Sequence, residues 1–206
     1  PVDLDAYDAA RLFLQSVRRR RPHFQPAAAG SERIGHICRL VEGMPLAIEL
    51  TASWVRRLSL DLLAHEVEDG LRRLASTARD VLPRHRNMVA VFDHSWHLLD
   101  AREQAILRTL SLFRGGFTRE AAEVVARADL TDLAGLLDAS WIRLRPSGRY
   151  DMHELVRQYC EAHLAEDPAA DEARSRHCAF FGDLLGRLTK RMNYQQSVMT
   201  ELMADF

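Results

Sequence analysis

Apolar residues recur at helical spacing along almost the whole of this chain, and the period changes only once. Tyr7, Ala10, Leu14 and Val17 fall at i, i+3, i+7 and i+10, one face of a first helix. At WIRLR the pattern turns to strict alternation, which puts Ile142 and Leu144 on one face. PSG then supplies a turn and RYDM can return as the partner strand. These periods predict a mainly α protein carrying one β-hairpin.

Breakers and caps divide the helices. RRRRPHFQP ends the first, because Pro22 and Pro26 cannot continue a helix. Its arginine run reads as a solvated helix end beside the negative pole of the dipole, with a nucleic-acid or membrane patch as the alternative. Ser31 reads as the N-cap of a helix that carries Ile34, Ile37, Cys38 and Val41 on one side. Gly43 then serves as a left-handed C-cap and Pro45 as the first residue of the next helix. That helix runs to about Arg57, and Ser59 caps another with Leu62, Leu63 and Val67.

RDVLPRHRN, residues 79–87, is the best domain boundary. A helix follows through MVAVFDHSWHLL, and Asp100 with Glu103 forms a capping box ahead of QAILRTLSLF. Gly115 and Gly116 break the chain; Thr118 caps REAAEVVARA and Thr131 caps DLAGLLDAS. Three helices, a short helix and a hairpin, in that order, are a helix-turn-helix core with a wing. HELVRQYCEAHL and a long helix with Cys178, Phe181, Leu184, Leu185 and Leu188 come next, as in the first turn of a helical array. The expected layout is a small helical domain over 1–80, a winged-helix domain over 81–165 and the start of a TPR-like array over 166–206.

Composition narrows the function. Lys and Arg total 28 against 29 Asp and Glu, a formal net charge of -1, which argues against a nucleic-acid binder that works by bulk charge. The cysteines Cys38, Cys160 and Cys178 make no zinc spacing and read as small buried hydrophobes of a reducing compartment. Neither a signal peptide nor a membrane-length apolar run is present, so a cytoplasmic protein without a membrane partner is expected. The chain has no initiator Met and stops at TELMADF in mid-pattern, which suggests a piece of a longer protein.

Catalytic motifs do not appear: there is no GxxxxGK[ST], HExxH or GxSxG. Asp93, His94 and Ser95 are neighbours on a helix and point apart, so they make no triad. His153 with Glu154 is a weak acid/base pair by itself. The piece in hand is therefore expected to be no enzyme, with no catalytic or metal-binding residues. For DNA, the helix before the hairpin carries Asp132 and Asp138 and no basic or amide side chain, which repels a polyanion. Arg143, Arg145 and Arg149 on the wing could touch a phosphate backbone, which keeps a DNA-binding regulator as an alternative.

Four stretches in order, YDAARLFLQSV, ICRLVEGMPLAIELTASWVR, HSWHLLDAREQAILRTLSLFRGGFTREAAEVVA and YDMHELVRQYC, resemble the STAND regulatory ATPases, NB-ARC-like P-loop switches that transduce signals. The closest look is the bacterial transcriptional-regulator and predicted-ATPase branch, over about residues 5 to 165. The resemblance implies that these are the modules after a nucleotide-binding domain, whose P-loop lies outside this chain. Gly43-Met44-Pro45-Leu46 matches the family's GxP motif, usually Gly-Leu-Pro-Leu, whose Pro packs near adenine. Met152-His153-Glu154 matches the MHD motif, whose His contacts the β-phosphate of ADP and holds the closed state; Glu154 departs from the usual Asp. By the same resemblance the parent would use ADP or ATP with magnesium, and the piece alone would hold no cofactor. Its partners would be its own P-loop domain, further copies on activation, and an unknown signal ligand or protein at the C-terminal repeats.

The residues themselves allow this role. A helix starting at Pro45 offers free N–H groups, and a His at a helix start after a strand can face a cleft between domains. Read singly, Gly43-Pro45 is also an ordinary corner between helices and His153 a surface or capping histidine. A protein-interaction scaffold built on the C-terminal repeats is a third reading, compatible with the switch.

Overall fold

The computed structural model describes residues 4–77 and 83–204, with side chains at Asp5, 73–77, 83–86 and 193–204 left undescribed. The boundary expected at 79–87 lies outside the described residues over 79–82. After a 3-10 turn at Leu4–Ala6 come α1 (Asp8–Arg18), α2 (Ala28–Leu40), α3 (Pro45–Ser53) and α4 (Leu60–Thr77). Then follow α5 (Pro83–His97), α6 (Ala101–Leu110), α7 (Arg119–Ala126), α8 (Leu130–Asp138), β1 (Arg143–Leu144), β2 (Tyr150–Asp151), α9 (Glu154–Ala165) and α10 (Ala170–Ala204). The protein is mainly helical, and no helix among the described residues is long and apolar enough to cross a membrane.

Side-chain caps set several of the helix starts. The carboxylate of Asp100 accepts from Glu103 N at 2.8 Å while Asp100 N donates to Glu103 Oε2 at 3.0 Å, closing the capping box of α6. Thr118 Oγ1 accepts from Ala121 N at 3.1 Å, and Ser59 Oγ accepts from Leu62 N at 3.3 Å, as their sequence positions predict. Two other caps fall elsewhere. Helix α2 begins at Ala28, three residues before Ser31, because the alanines after Pro26 are strong helix formers; Ser31 Oγ instead donates back to Ala27 O at 3.4 Å. Helix α8 is capped by Asp129, not Thr131, because Asp132 at the third position completes a reciprocal box with it.

The end of α2 is a Schellman turn. Gly43 N donates to Cys38 O at 2.9 Å and Glu42 N to Arg39 O at 3.0 Å. The left-handed position directly after the helix is therefore Glu42 (φ 52°), and Gly43 (φ 67°) extends the left-handed path by one residue. Two such residues in succession swing the chain so that Pro45 can open α3 at once, with Met44 as its extended N-cap.

In the hairpin Arg143 pairs with Asp151 and Leu144 with Tyr150. The turn is closed by Gly148 N donating to Arg145 O at 2.9 Å and Arg145 N to Arg149 O at 2.8 Å. A third segment joins it: Phe117 N donates to Tyr150 O at 2.9 Å and Tyr150 N to Phe117 O at 2.8 Å. Gly116 must be glycine for that approach, since its φ is 73° and a Cβ there would meet Tyr150 O at 2.5 Å.

One apolar cluster runs from Leu4 through Phe13, Ile34, Ile48, Leu63, Leu107, Leu133 and Trp141 to Phe180, so the helices before and after 78–82 share a core. Each such buried aliphatic side chain contributes about 1.5–3 kcal/mol. Helix α1 packs on α3, α2 on α4 and α4 on α5, while α6 holds α7 and α9, and α10 lies on α7. Several expected faces differ. Tyr7 is exposed because it stands at the N-cap, ahead of the buried stripe of α1. Leu62 is exposed in the first turn of α4, and Leu144 overhangs solvent on the hairpin while Ile142 enters the core. On α10, Leu184 packs against the core but Leu185 and Leu188 are exposed. Cys38 and Cys160 are buried free thiols, burial pushing Cys38 up to about 11, whereas Cys178 is exposed.

Replacing Gly116 by Ala is predicted to cost about 2 kcal/mol or more in chemical denaturation, from backbone strain plus the clash with Tyr150 O. Gly115→Ala, with nothing within 4 Å of the added methyl and no positive φ, should be nearly neutral; equal costs would contradict the close approach.

Candidate functional site

Pro45 is exposed at the start of α3, and the side chains of Met44 and Leu46 flank it half-buried against the core. Gly43 is exposed beside them. The corner therefore presents a small apolar step with the free N–H end of a helix next to it.

His153 is the N-cap of α9, with extended backbone after β2. Its Nδ1 accepts from Leu155 N at 3.2 Å. A nitrogen that accepts carries no proton, so the neutral ring keeps its proton on Nε2, which is left as a donor. Burial holds the imidazole below its ordinary range, and the Arg143 guanidinium adds to this; Asp151, Glu154 and Glu49 pull the other way. The ring is therefore neutral at neutral pH.

Glu154 has a definite job. Its two oxygens accept from Arg157 Nη2 at 2.7 Å and Nε at 2.9 Å, and Gln158 Nε2 donates to it at 2.9 Å. These donors hold its carboxyl well below the usual range, down to about 2. Arg157 is buried and also donates to Glu161 Oε2 at 2.8 Å and to Ser111 O at 3.4 Å, just after α6. A buried guanidinium needs such partners. Glu154 thus pins the first turn of α9, and with it His153, to the end of α6.

The hairpin arginines divide. Arg145 Nη2 donates to Asp151 Oδ2 at 2.7 Å, turning back on the hairpin, and Arg149 Nη2 donates to Gly116 O at 2.8 Å in the loop after α6. Arg143 is exposed and faces a cleft of about 350 Å³ whose lining includes Arg19, Arg20, Glu49 and Ile142. Among the described residues no hydrogen bond or ion pair joins Pro45 to His153. Glu49, one turn after Leu46 on α3, lines the same cleft as Arg143. The acids of α8 are already engaged: Asp132 accepts from Arg102 at 2.9 and 2.8 Å, and Asp138 from Arg56 at 2.6 Å.

Sequence reasoning missed two features. Arg20, in the arginine run, crosses from α1 to the end of α8, donating to Leu137 O at 3.1 Å and Ser140 Oγ at 2.8 Å. Only its unusually basic neighbourhood marks it in the sequence. Asp93, His94 and Ser95 each serve another partner: Tyr159 Oη donates to Asp93 at 2.7 Å, the His94 ring lies 4.3 Å from Trp54, and Trp54 Nε1 donates to Ser95 Oγ at 3.1 Å.

No family model matches the chain. It is 32% identical over 191 residues to a candidate HTH-type transcriptional regulator of Mycobacterium tuberculosis, covering 88% of this chain and 22% of that protein. It is likewise 32% identical over 181 residues to an uncharacterized protein of the same species, covering 82% of this chain and 46% of that one. The chain thus spans about a fifth to a half of the length of these relatives. A solved STAND protein with a tetratricopeptide repeat sensor, from Pyrococcus horikoshii, superposes with a TM-score of 0.54 at 16% identity, over 84% of this chain and 21% of that one. At that identity the likeness establishes the helical fold alone.

Glu154→Gln tests the anchor. The folded carboxyl is depressed, so its stabilising contribution is present above the unfolded value of about 4.3 and is lost as pH falls toward about 2. The variant should be less stable than the parent chain at pH 7, with the gap narrowing below about pH 4. A gap that stays constant with pH would remove the charge argument.

Proposed function

We propose that this chain is the non-catalytic switch portion of a larger STAND-type regulatory ATPase, packing on a separate nucleotide-binding module and coupling its ADP or ATP state to signalling or transcription. The observation that carries the reading is His153: its Nδ1 is spent on the backbone N–H of Leu155, so Nε2 is left as the ring's donor at the start of α9. In this reading residues 1–80 are a helical module, 81–165 a winged helix whose wing is the 143–151 hairpin, and 166–206 the start of a TPR-like array. The Phe117–Tyr150 pairing supports the winged helix, because a third short segment beside the wing is what that fold adds to a bare hairpin.

The residues fit an adenine nucleotide. Pro45 and Leu46 would flank the base, Gly43 keeps the approach open, and His153 would donate to a phosphate oxygen. The separate module would supply the P-loop and, with the phosphates, hold magnesium. The bound nucleotide would clamp these modules closed; exchange, or a signal at the C-terminal helices, would release them for self-association. Such a protein belongs in the cytoplasm. Direct DNA reading is less favoured: α8 offers paired acids, and two of the three wing arginines already hold partners, Asp151 and Gly116 O.

In the longer protein containing this chain, His153→Ala should speed ADP release and raise basal output. Unchanged ADP retention and unchanged output would count against the switch, and a salt-sensitive shift of duplex DNA by this chain would favour the DNA reading instead.

A further inference from the structure

The hairpin leaves one cation uncommitted, beside the one histidine that a strand leads into. Arg143 and Asp151 are partners across the strands, so their side chains leave the same face. Arg145 and His153 lie two residues further along their segments and return to that face. Asp151 supplies a carboxylate there, but Arg145 takes it at 2.7 Å. Arg143 has no carboxylate partner among the described residues.

The far wall of the cleft is also basic. Arg19 and Arg20 come from the end of α1. Arg20 spends Nη1 on Ser16 O at 2.9 Å and Nη2 on Leu137 O and Ser140 Oγ, and its Nε is buried without a partner. The acids of the cleft are Asp138, which is paired with Arg56, and Glu49. Glu49 alone is left to face Arg19, Arg20 and Arg143.

We propose that Arg143 is an anion-contacting residue that works beside His153, and that the cleft between Arg143 and the end of α1 receives a phosphoryl group. This deepens the nucleotide reading and rests on it for the identity of the occupant. The chemistry is complementary: the planar guanidinium offers a fork to two phosphate oxygens, and His153, which follows β2 on the same face and lies outside the lining of the cleft, would add a third donor from Nε2 at its edge. The site also couples binding to protonation. The groups facing His153 are Arg143 on β1, Asp151 on β2, Glu154 on α9 and Glu49 on α3. Without an anion Arg143 disfavours the imidazolium; an anion between the two reverses that field, so phosphate binding and His153 protonation reinforce each other.

The test is a titration of this chain with inorganic pyrophosphate, following the His153 ring by NMR. Pyrophosphate should shift its resonances and raise its titration midpoint. Arg143→Gln should weaken pyrophosphate binding about tenfold or more and, with no anion present, move the His153 midpoint upward. Arg143→Lys keeps the charge without the fork, so it should hold the midpoint low yet bind more weakly. Arg174→Gln, a charge-matched change on α10, should leave both properties alone. The proposal is overturned if saturating pyrophosphate leaves His153 unmoved, or if Arg143→Gln binds it as tightly as the parent chain. Binding that depends on Arg143, together with unchanged ADP retention in the His153→Ala longer protein, would keep the anion site and reject only the nucleotide as its occupant.

Discussion

The pairing of Phe117 with Tyr150 is the contact on which the candidate site depends. A hairpin with only two residues in each strand has little stability of its own. Two backbone bonds from Phe117 fasten it to the loop after α6, and the requirement for glycine at 116 follows from how close that loop comes. Because Tyr150 is fixed, the chain leaves β2 in a set direction, and His153 enters α9 in extended geometry. Arg157 then ties the first turn of α9 to Ser111 O at the other end of the same loop. His153 is therefore held from both sides by residues 111–117, a segment with no chemistry of its own.

Charge in this protein is mostly spent internally. The sequence is nearly neutral overall and rich in arginine, and the structure uses those arginines as long-range ties. Arg20 joins α1 to the end of α8, Arg56 reaches Asp138, and Arg57 donates to Leu98 O. Guanidinium suits this work because its several donors can satisfy carbonyl ends that a helix leaves open. These ties cross between the N-terminal helices and those beyond 82, alongside the shared apolar core. Among the described residues, Arg143 is the arginine of the hairpin that makes no such tie.

Much of the helical plan was legible. Ser59, Asp100 and Thr118 cap where their positions predict, since a cap is a local hydrogen bond that needs only residues within one turn. The errors are of one kind. Ser31 and Thr131 were the right residue types one turn or less from the true start, and a neighbouring alanine run or a second aspartate decided the boundary. At Gly43 the corner was legible but its geometry was not, because the Schellman turn places the left-handed residue one position earlier, at Glu42. The exposed Tyr7, Leu62 and Leu144 match the apolar pattern; which apolar residues lie at element ends, clear of the core, depends on neighbours distant in sequence.

The candidate site divides the same way. Local sequence settled the Gly43–Pro45 break, the hairpin and the histidine that follows it, because proline, glycine and alternation act over a few residues. Only the tertiary structure decided which nitrogen of His153 is free, that Glu154 serves Arg157, and that Arg145 and Arg149 are committed while Arg143 is not. The bonds of His153, Glu154 and Arg145 are short-range, but which of the local partners each side chain takes is fixed by contacts distant in sequence, such as Arg149 on Gly116 O and Arg157 on Ser111 O.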